Sequence, residues 1–257
     1  MAERLSLPVH FRIIDARFAK IEDEALQALF QLTRQYSLEI ANAIASTDLD
    51  APAFVSMLIA RIDSMGAEFE PQYREILTEL GVDMARLGGE AIADNEGVIE
   101  DQSFFAGLIA GAGLLAIGIV ATLGSIAKEQ VRLRLGQGIN TSQTLTRIRQ
   151  GFARHLVSVR RMVRTETTRI FNAGHLLAGR GAAAITGKRM VKQWVTIGDD
   201  RVRPTHNRAE DQPPIPLHKL FKVGNSRMRY PGDPKGEYKE IVNCRCRLRI
   251  TNETARQ

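Results

Sequence analysis

The stretch Cys244-Arg245-Cys246-Arg247-Leu248-Arg249-Ile250 (CRCRLRI) alternates an apolar and a basic side chain at every step. Successive side chains of a strand point to opposite faces, so this spacing predicts a strand with Cys244, Cys246, Leu248 and Ile250 turned to a core and Arg245, Arg247 and Arg249 turned away. Upstream, Lys188–Ile197 (KRMVKQWVTI) alternates enough to form a second strand, and Phe221–Val223 a third, among segments rich in Gly, Pro and Asn. A small α+β domain is therefore expected to close the chain.

Everything before Gly187 has a different texture. Apolar residues at Ile14, Phe18, Ile21, Ala25, Leu29, Leu32, Tyr36, Ile40 and Ile44 recur at spacings of three and four, which draws one stripe along a long helix. Thr47–Pro52 interrupts it, with Asp50 placed to cap the next helix and Pro52 in its first turn. A second stripe runs through Phe54, Leu58, Ile62, Met65 and Phe69, and Pro71 is expected to start a third helix carrying Tyr73, Ile76, Leu80, Met84 and Leu87. The fold class is α+β: a mostly helical N-terminal two-thirds of long antiparallel helices, then a small domain with a few short strands. With 257 residues, 44% of them hydrophobic, the chain is long enough to bury real cores, and a fully disordered protein is excluded.

Phe104–Ala127 (FFAGLIAGAGLLAIGIVATLGSIA) contains no charged residue over 24 positions, long enough as a helix to span a bilayer's hydrocarbon core. Gly107 and Gly111 form a GxxxG pair, and Gly118, beside Leu115, extends a surface for close packing in a membrane or an oligomer. Glu96, Glu100 and Asp101 precede the run while Lys128, Arg132 and Arg134 follow it. A single span would leave its C-terminal end in the cytoplasm. The competing reading is a helix buried within an oligomer.

The net charge of +6 hides a gradient. Residues 1–127 carry 19 acidic against 8 basic side chains, residues 128–189 carry 13 basic against 2 acidic, and residues 190–257 carry 14 basic against 8 acidic. Two partners of different kinds, one a polyanion, would suit that division, as would neutralisation between subunits. The two cysteines stand one residue apart, which does not form the disulfide framework of a small secreted protein. Met1–His10 shows no basic segment followed by an apolar run, so folding in a reducing cytoplasm is expected.

Within the basic region, Arg154, Arg160, Arg161 and Arg169 lie between apolar Phe152, Leu156, Val159 and Val163 on a helix-like segment. Such a surface suits double-stranded DNA through its phosphates, without sequence preference. Docking on an acidic protein face is the alternative.

Taken in order, Arg164-Thr165-Glu166-Thr167, Asn172, Trp194, Asp200-Arg201-Val202-Arg203, His206, Pro216, Phe221, Pro231-Gly232-Asp233 and Asn243-Cys244-Arg245-Cys246 resemble the phage Mu F-like head-morphogenesis family over roughly Val131–Ile250. One departure is Glu210-Asp211-Gln212, which stands where relatives often carry Asp-Gly, so that turn is expected to differ. The resemblance implies a non-enzymatic minor head protein of a tailed phage, made in the host cytoplasm and carried in the virion at the capsid interior or portal vertex. Implied partners are the portal protein and a major capsid or scaffold protein, with self-association and a role in head assembly, DNA packaging or ejection. The apolar run lies outside the motif and supports an alternative, a membrane-active ejection protein forming a conduit in the host inner membrane through transient contact. The expected division is residues 1–100 as an acidic helical region, 101–130 as the apolar helix, 131–250 as the head-morphogenesis domain and 251–257 as a tail.

If the helix, loop and last strand fold together, Arg164, Glu166, Asp200, Arg203, His206 and Asn243 form a buried polar network in which Arg164 and Arg203 pair with Glu166 and Asp200 while Asn243 fixes the turn before the last strand. Two chemical readings compete with this structural one. Cys244 and Cys246 with His206 and His218 have the ligand types of a zinc site, although structural sites more often use CxxC. Alternatively, His206 as base with Cys244 as nucleophile, or Glu166 and Asp200 as paired carboxylates, would make an enzyme. No glycine-rich phosphate loop or nuclease pattern accompanies them, so neither catalytic residues nor a cofactor is assigned.

Overall fold

The first apolar stripe becomes helix α1 (Val9–Ala45), with Ile14, Phe18, Leu29, Leu32, Tyr36, Ile40 and Ile44 buried. The computed structural model describes residues 9–47, 52–92 and 102–253, so the expected cap at Asp50 and the acidic flank at Glu96, Glu100 and Asp101 lie outside the described residues. Helix α2 (Pro52–Glu90) runs through Pro71 without a break, correcting the expected new helix there. Proline removes one N–H and crowds the carbonyl four residues back. Pro71 and Ala67 are both exposed, so water can serve that carbonyl. Phe54, placed on the second stripe by its spacing, is 45% exposed, and Val55 takes the inward position.

The apolar run and its basic continuation form α3 (Gln102–Gln137), and α4 (Thr141–Thr186) follows after three residues. Asn140 caps α4 reciprocally: the Gln143 N–H donates to Asn140 Oδ1 at 2.9 Å, and the Asn140 N–H donates to Gln143 Oε1 at 3.1 Å. Strand β1 is Met190–Val195, α5 is Pro204–Glu210, and β2 is Ile215–Pro216. The remaining elements are β3 (Phe221–Val223), β4 (Ser226–Met228), α6 (Tyr238–Ile241) and β5 (Arg247–Asn252). An antiparallel sheet has the order β2-β1-β5, with Trp194 opposite Leu248 and Lys192 opposite Ile250, and β3 and β4 form a separate hairpin. The closing strand thus starts at Arg247; Cys244 and Cys246 stand just before it. Their alternation survives, since Cys244, Cys246, Leu248 and Ile250 are buried while the arginines between them are less so.

Two compact units are each assembled from separate stretches of chain. The first comprises residues 1–23, 80–108 and 161–257, the second residues 24–79 and 109–160. In the second, Tyr36 stacks on Phe69 with ring centroids 4.8 Å apart and approaches Phe152 at 6.3 Å, and the Thr33 and Tyr73 hydroxyls share a 2.8 Å hydrogen bond. The first unit's core joins Leu176, Ala178 and Ala182 of α4 to Trp194, Phe221, Val223, Met228, Leu248 and both cysteines.

Within the first unit, Gly88 on α2 lies against the backbone of α4. A Cβ there would sit 2.3 Å from the carbonyl oxygen of Phe171 and 3.0 Å from the amide of His175, while the Gly88 carbonyl is 2.9 Å from His175 Nδ1. Backbone cannot swing aside as a side chain can. Gly88→Ala is therefore expected to cost about 2–4 kcal/mol through overpacking and loss of the His175 contact. The midpoint of urea unfolding followed by Trp194 fluorescence checks it.

Candidate functional site

One polar stripe of α4 holds the segment that leads into β5. The Asn243 N–H donates to Thr165 Oγ1 at 2.9 Å, and the Thr168 hydroxyl donates to the Cys244 carbonyl at 2.8 Å. Asn172 Nδ2 then donates to the Cys246 carbonyl at 3.1 Å, and Asn172 Oδ1 accepts the Leu248 N–H at 2.7 Å. Residues 165, 168 and 172 recur every three to four positions, so they share the helix face that meets this backbone. Asn172 Nδ2 also donates to the Pro231 carbonyl at 3.0 Å. There Gly232, with φ +84°, lets the chain run against α4, since a Cβ would lie 3.1 Å from Arg169 Cα. Asn243 itself is exposed rather than part of a buried network, and it adopts φ +56°, a conformation asparagine tolerates, so it shapes the turn through its backbone.

With the backbone held by α4, the two sulfurs meet His206 of α5. His206 Nδ1 lies 3.3 Å from Cys246 Sγ and 3.7 Å from Cys244 Sγ, and the three ligand-type atoms lie within 4.8 Å of one another. His206 Nε2 lies 3.3 Å from Glu240 Oε2, which also accepts the Thr205 hydroxyl at 2.7 Å. Trp194 closes the group edge-on to His206, with centroids 5.3 Å apart. Cys244, Cys246, His206 and Glu240 are 1%, 3%, 1% and 2% exposed. The thiols behave as one pair. A hydrogen bond from the Cys246 thiol, with His206 adding to it, holds the Cys244 thiol well below the ordinary range, whereas its bond to Cys244 and burial push the Cys246 thiol up. Thiol, imidazole and carboxylate side by side make an arrangement that can move a proton, and all of these side chains are buried.

Around this centre the expected ion pairs are formed with other partners. Arg164 does not pair with Glu166; its Nε and Nη2 donate to Glu22 Oε1 at 3.1 and 2.9 Å, and Thr167 donates to Glu22 Oε2 at 2.8 Å. Residues two apart on a helix face different directions, which is why Glu166 instead receives Arg169, three residues on, at 2.7 Å. Arg203 donates to the Val242 carbonyl at 2.6 Å, and Asp200 is exposed. Its neighbour Asp199 takes the bidentate role, accepting Arg245 Nη1 and Nη2 at 2.6 and 2.8 Å, and this pairing holds the Asp199 carboxyl down at about 2. Arg247 donates to Asp15 at 3.0 Å and lies 3.7 Å above the Phe18 ring. His218 is exposed and outside the sulfur cluster. The segment that departs from the family pattern has its own bonds: Glu210 accepts the Thr196 N–H and hydroxyl, and Gln212 bonds the backbone of Lys222 at both ends.

Of the arginines expected to face DNA, Arg154 and Arg161 are exposed, Arg160 is exposed over the Phe30 ring at 5.2 Å, and Arg169 is half-buried and committed to Glu166. On α3, Gly107 and Gly118 are exposed, and Gly111 and Leu115 are half-buried. Nothing lies within 4 Å of a Cβ built on any of those three glycines.

Sequence reasoning missed Lys192. It is fully buried on β1, donates to the Arg229 carbonyl at 2.7 Å and lies 5.2 Å from the centre of the Phe221 ring. Beside it, burial pushes the Asp233 carboxyl up, but hydrogen bonds from Arg229 and from the Lys235 N–H outweigh this and leave it below its ordinary range. Burial, with Arg180 and Arg229 nearby, lowers the Lys192 ammonium to about 8. An unfolded lysine keeps its proton to about pH 10.4. The charged form therefore costs stability below pH 8, and the cost fades as pH rises between the two values. From about pH 7.5 to about pH 9.5 the wild type is expected to gain about 1–2 kcal/mol relative to Lys192→Met, measured by urea unfolding at both pH values.

Fold and site together define a long-helix protein that ends in a small α+β module gripped by its last long helix. Residues 128–249, just under half of the chain, match the model of the family described as Phage Mu protein F like protein, which supports a likeness to phage head-morphogenesis proteins. The match takes in the end of α3, all of α4 and the module into β5. No curated protein and no solved structure gives a match.

Proposed function

We propose that the protein is a non-enzymatic minor component of the phage head, set near the portal vertex, where it contacts the portal and a capsid or scaffold protein and touches packaged DNA. The family match over 128–249 carries this reading. Exposed Arg147, Arg154 and Arg161 recur at seven-residue spacing along α4 and support loose phosphate contact. Burial of the reactive side chains supports a structural role for the module.

Cross-linking and quantitative mass spectrometry of intact particles test the placement. A few copies per particle linked to the portal are expected, and absence from particles would end the reading. For DNA, filter binding at several salt concentrations is expected to show sequence-independent affinity that falls steeply with salt and weakens at least tenfold on Arg154→Glu with Arg161→Glu. Unchanged affinity in that variant would remove the DNA contact.

A second reading, a membrane-active ejection protein, is favoured by α3. Residues 106–134 are long and apolar enough to cross a bilayer, and Ile109, Leu114 and Ile117 are 49%, 73% and 51% exposed. Dye leakage from anionic vesicles that disappears with Leu114→Glu would support it, and intact vesicles would count against it.

A further inference from the structure

We propose that His206, Cys244 and Cys246 bind one zinc ion, which fastens α5 to the segment leading into β5. Tetrahedral zinc takes sulfur at about 2.3 Å and imidazole nitrogen at about 2.0–2.1 Å, so its ligand atoms stand about 3.5–3.8 Å apart. Separations of 3.3 and 3.7 Å from Nδ1 to the two sulfurs already approximate the edges of that tetrahedron. The chain therefore need move little to close on an ion.

Hydrogen bonding alone serves this cluster poorly. Nδ1 carries either one proton or one lone pair, yet two sulfurs converge on it, whereas a cation at the centre satisfies all three atoms. Glu240 favours the tautomer that binding requires: its carboxylate, 3.3 Å from Nε2 though not aligned for a hydrogen bond, attracts the proton to that nitrogen and leaves the Nδ1 lone pair facing the sulfurs. Thr205 holds that carboxylate, completing the carboxylate–histidine arrangement that supports metal ligands. The Cys246 N–H, 3.5 Å from Cys244 Sγ, is placed to stabilise a thiolate. Two thiolates and a divalent cation sum to zero charge, which suits a site this deeply buried. Binding releases one proton from each thiol, and the fourth position falls to water or another small ligand. The short CxC spacing works because α4 fixes the backbone on one side while His206 reaches in from the other.

Full-length protein purified without chelator is expected to carry about one zinc per chain by plasma mass spectrometry, with a loss of at least tenfold in Cys244→Ser and in His206→Gln. Stripped wild-type protein titrated with cobalt(II) is expected to develop thiolate-to-cobalt charge-transfer absorption and the intense visible bands of tetrahedral coordination, both abolished by an equivalent of zinc. This arm needs no variant, so misfolding of the substituted chains does not obscure it. Zinc-free protein with no cobalt charge-transfer band overturns the proposal, and so does a Cys244–Cys246 disulfide found by mass spectrometry in protein kept under reducing conditions.

Discussion

Asn172→Ala is expected to cost about 3–5 kcal/mol, a large fraction of the stability of an ordinary domain. Asn172 is fully buried, and its amide has four partners: the two N–H of Nδ2 are shared among the carbonyls of Thr168, Pro231 and Cys246, and Oδ1 accepts the N–H of Leu248. Within α4 the Thr168 carbonyl has other helical donors, so its loss matters least. Of the other three groups, the Pro231 and Cys246 carbonyls belong to irregular backbone and the Leu248 N–H to β5, and truncation strands each in the buried core, at about 1–3 kcal/mol apiece before relaxation. Asn172→Asp separates shape from bonding. It keeps the acceptor for Leu248 but sets a second acceptor against two carbonyls, so it is expected to be nearly as damaging near neutral pH. Trp194, the chain's single tryptophan, sits in the same core, so its fluorescence during urea unfolding reads this unit directly. A loss below about 1 kcal/mol in both variants would mean that α4 does not hold the closing segment in this way.

The same residues show what could be read from the sequence and what could not. Strand alternation and helical stripes are local, and they located the long helices, the switch to strands after Gly187 and the inward set of the closing segment. Pro71 misled because its cost depends on whether the starved carbonyl reaches water, which only the fold decides. In the site, Arg164, Asp200 and Arg203 drew partners from their own vicinity, whereas the true partners of Arg164 and Arg203 lie 142 and 39 residues away. Glu240 and Glu22 look in sequence like any acid on a solvated helix face, and Lys192 like the outward residue of an edge strand. Burial makes them important, and nothing local announces it. His206, Cys244 and Cys246 were legible by chemical type, but their convergence rests on the α4 ladder, whose donors are ordinary Thr and Asn.

Arg164→Met is expected to cost about 2–4 kcal/mol, and the partner responsible is Glu22. The Glu22 side chain is 8% exposed and receives two bonds from Arg164 and one from Thr167. Removing the guanidinium leaves a carboxylate in place with only a hydroxyl, which is the costly way to break a buried pair. Because the Arg164 side chain is itself 33% exposed, the reverse change, Glu22→Gln, is expected to cost less, about 1–2 kcal/mol. A double-mutant cycle between them should give a coupling of about 1–3 kcal/mol that falls little with added salt. The same cycle between Arg164 and Glu166 should stay within about 0.5 kcal/mol, since the two face apart on α4 and Glu166 is taken by Arg169. The reverse pattern, strong coupling to Glu166 and none to Glu22, would overturn the arrangement. It would also free Arg169 from Glu166, so the cycle bears on the proposed phosphate contact, which as the pairs stand cannot draw on Arg164 or Arg169.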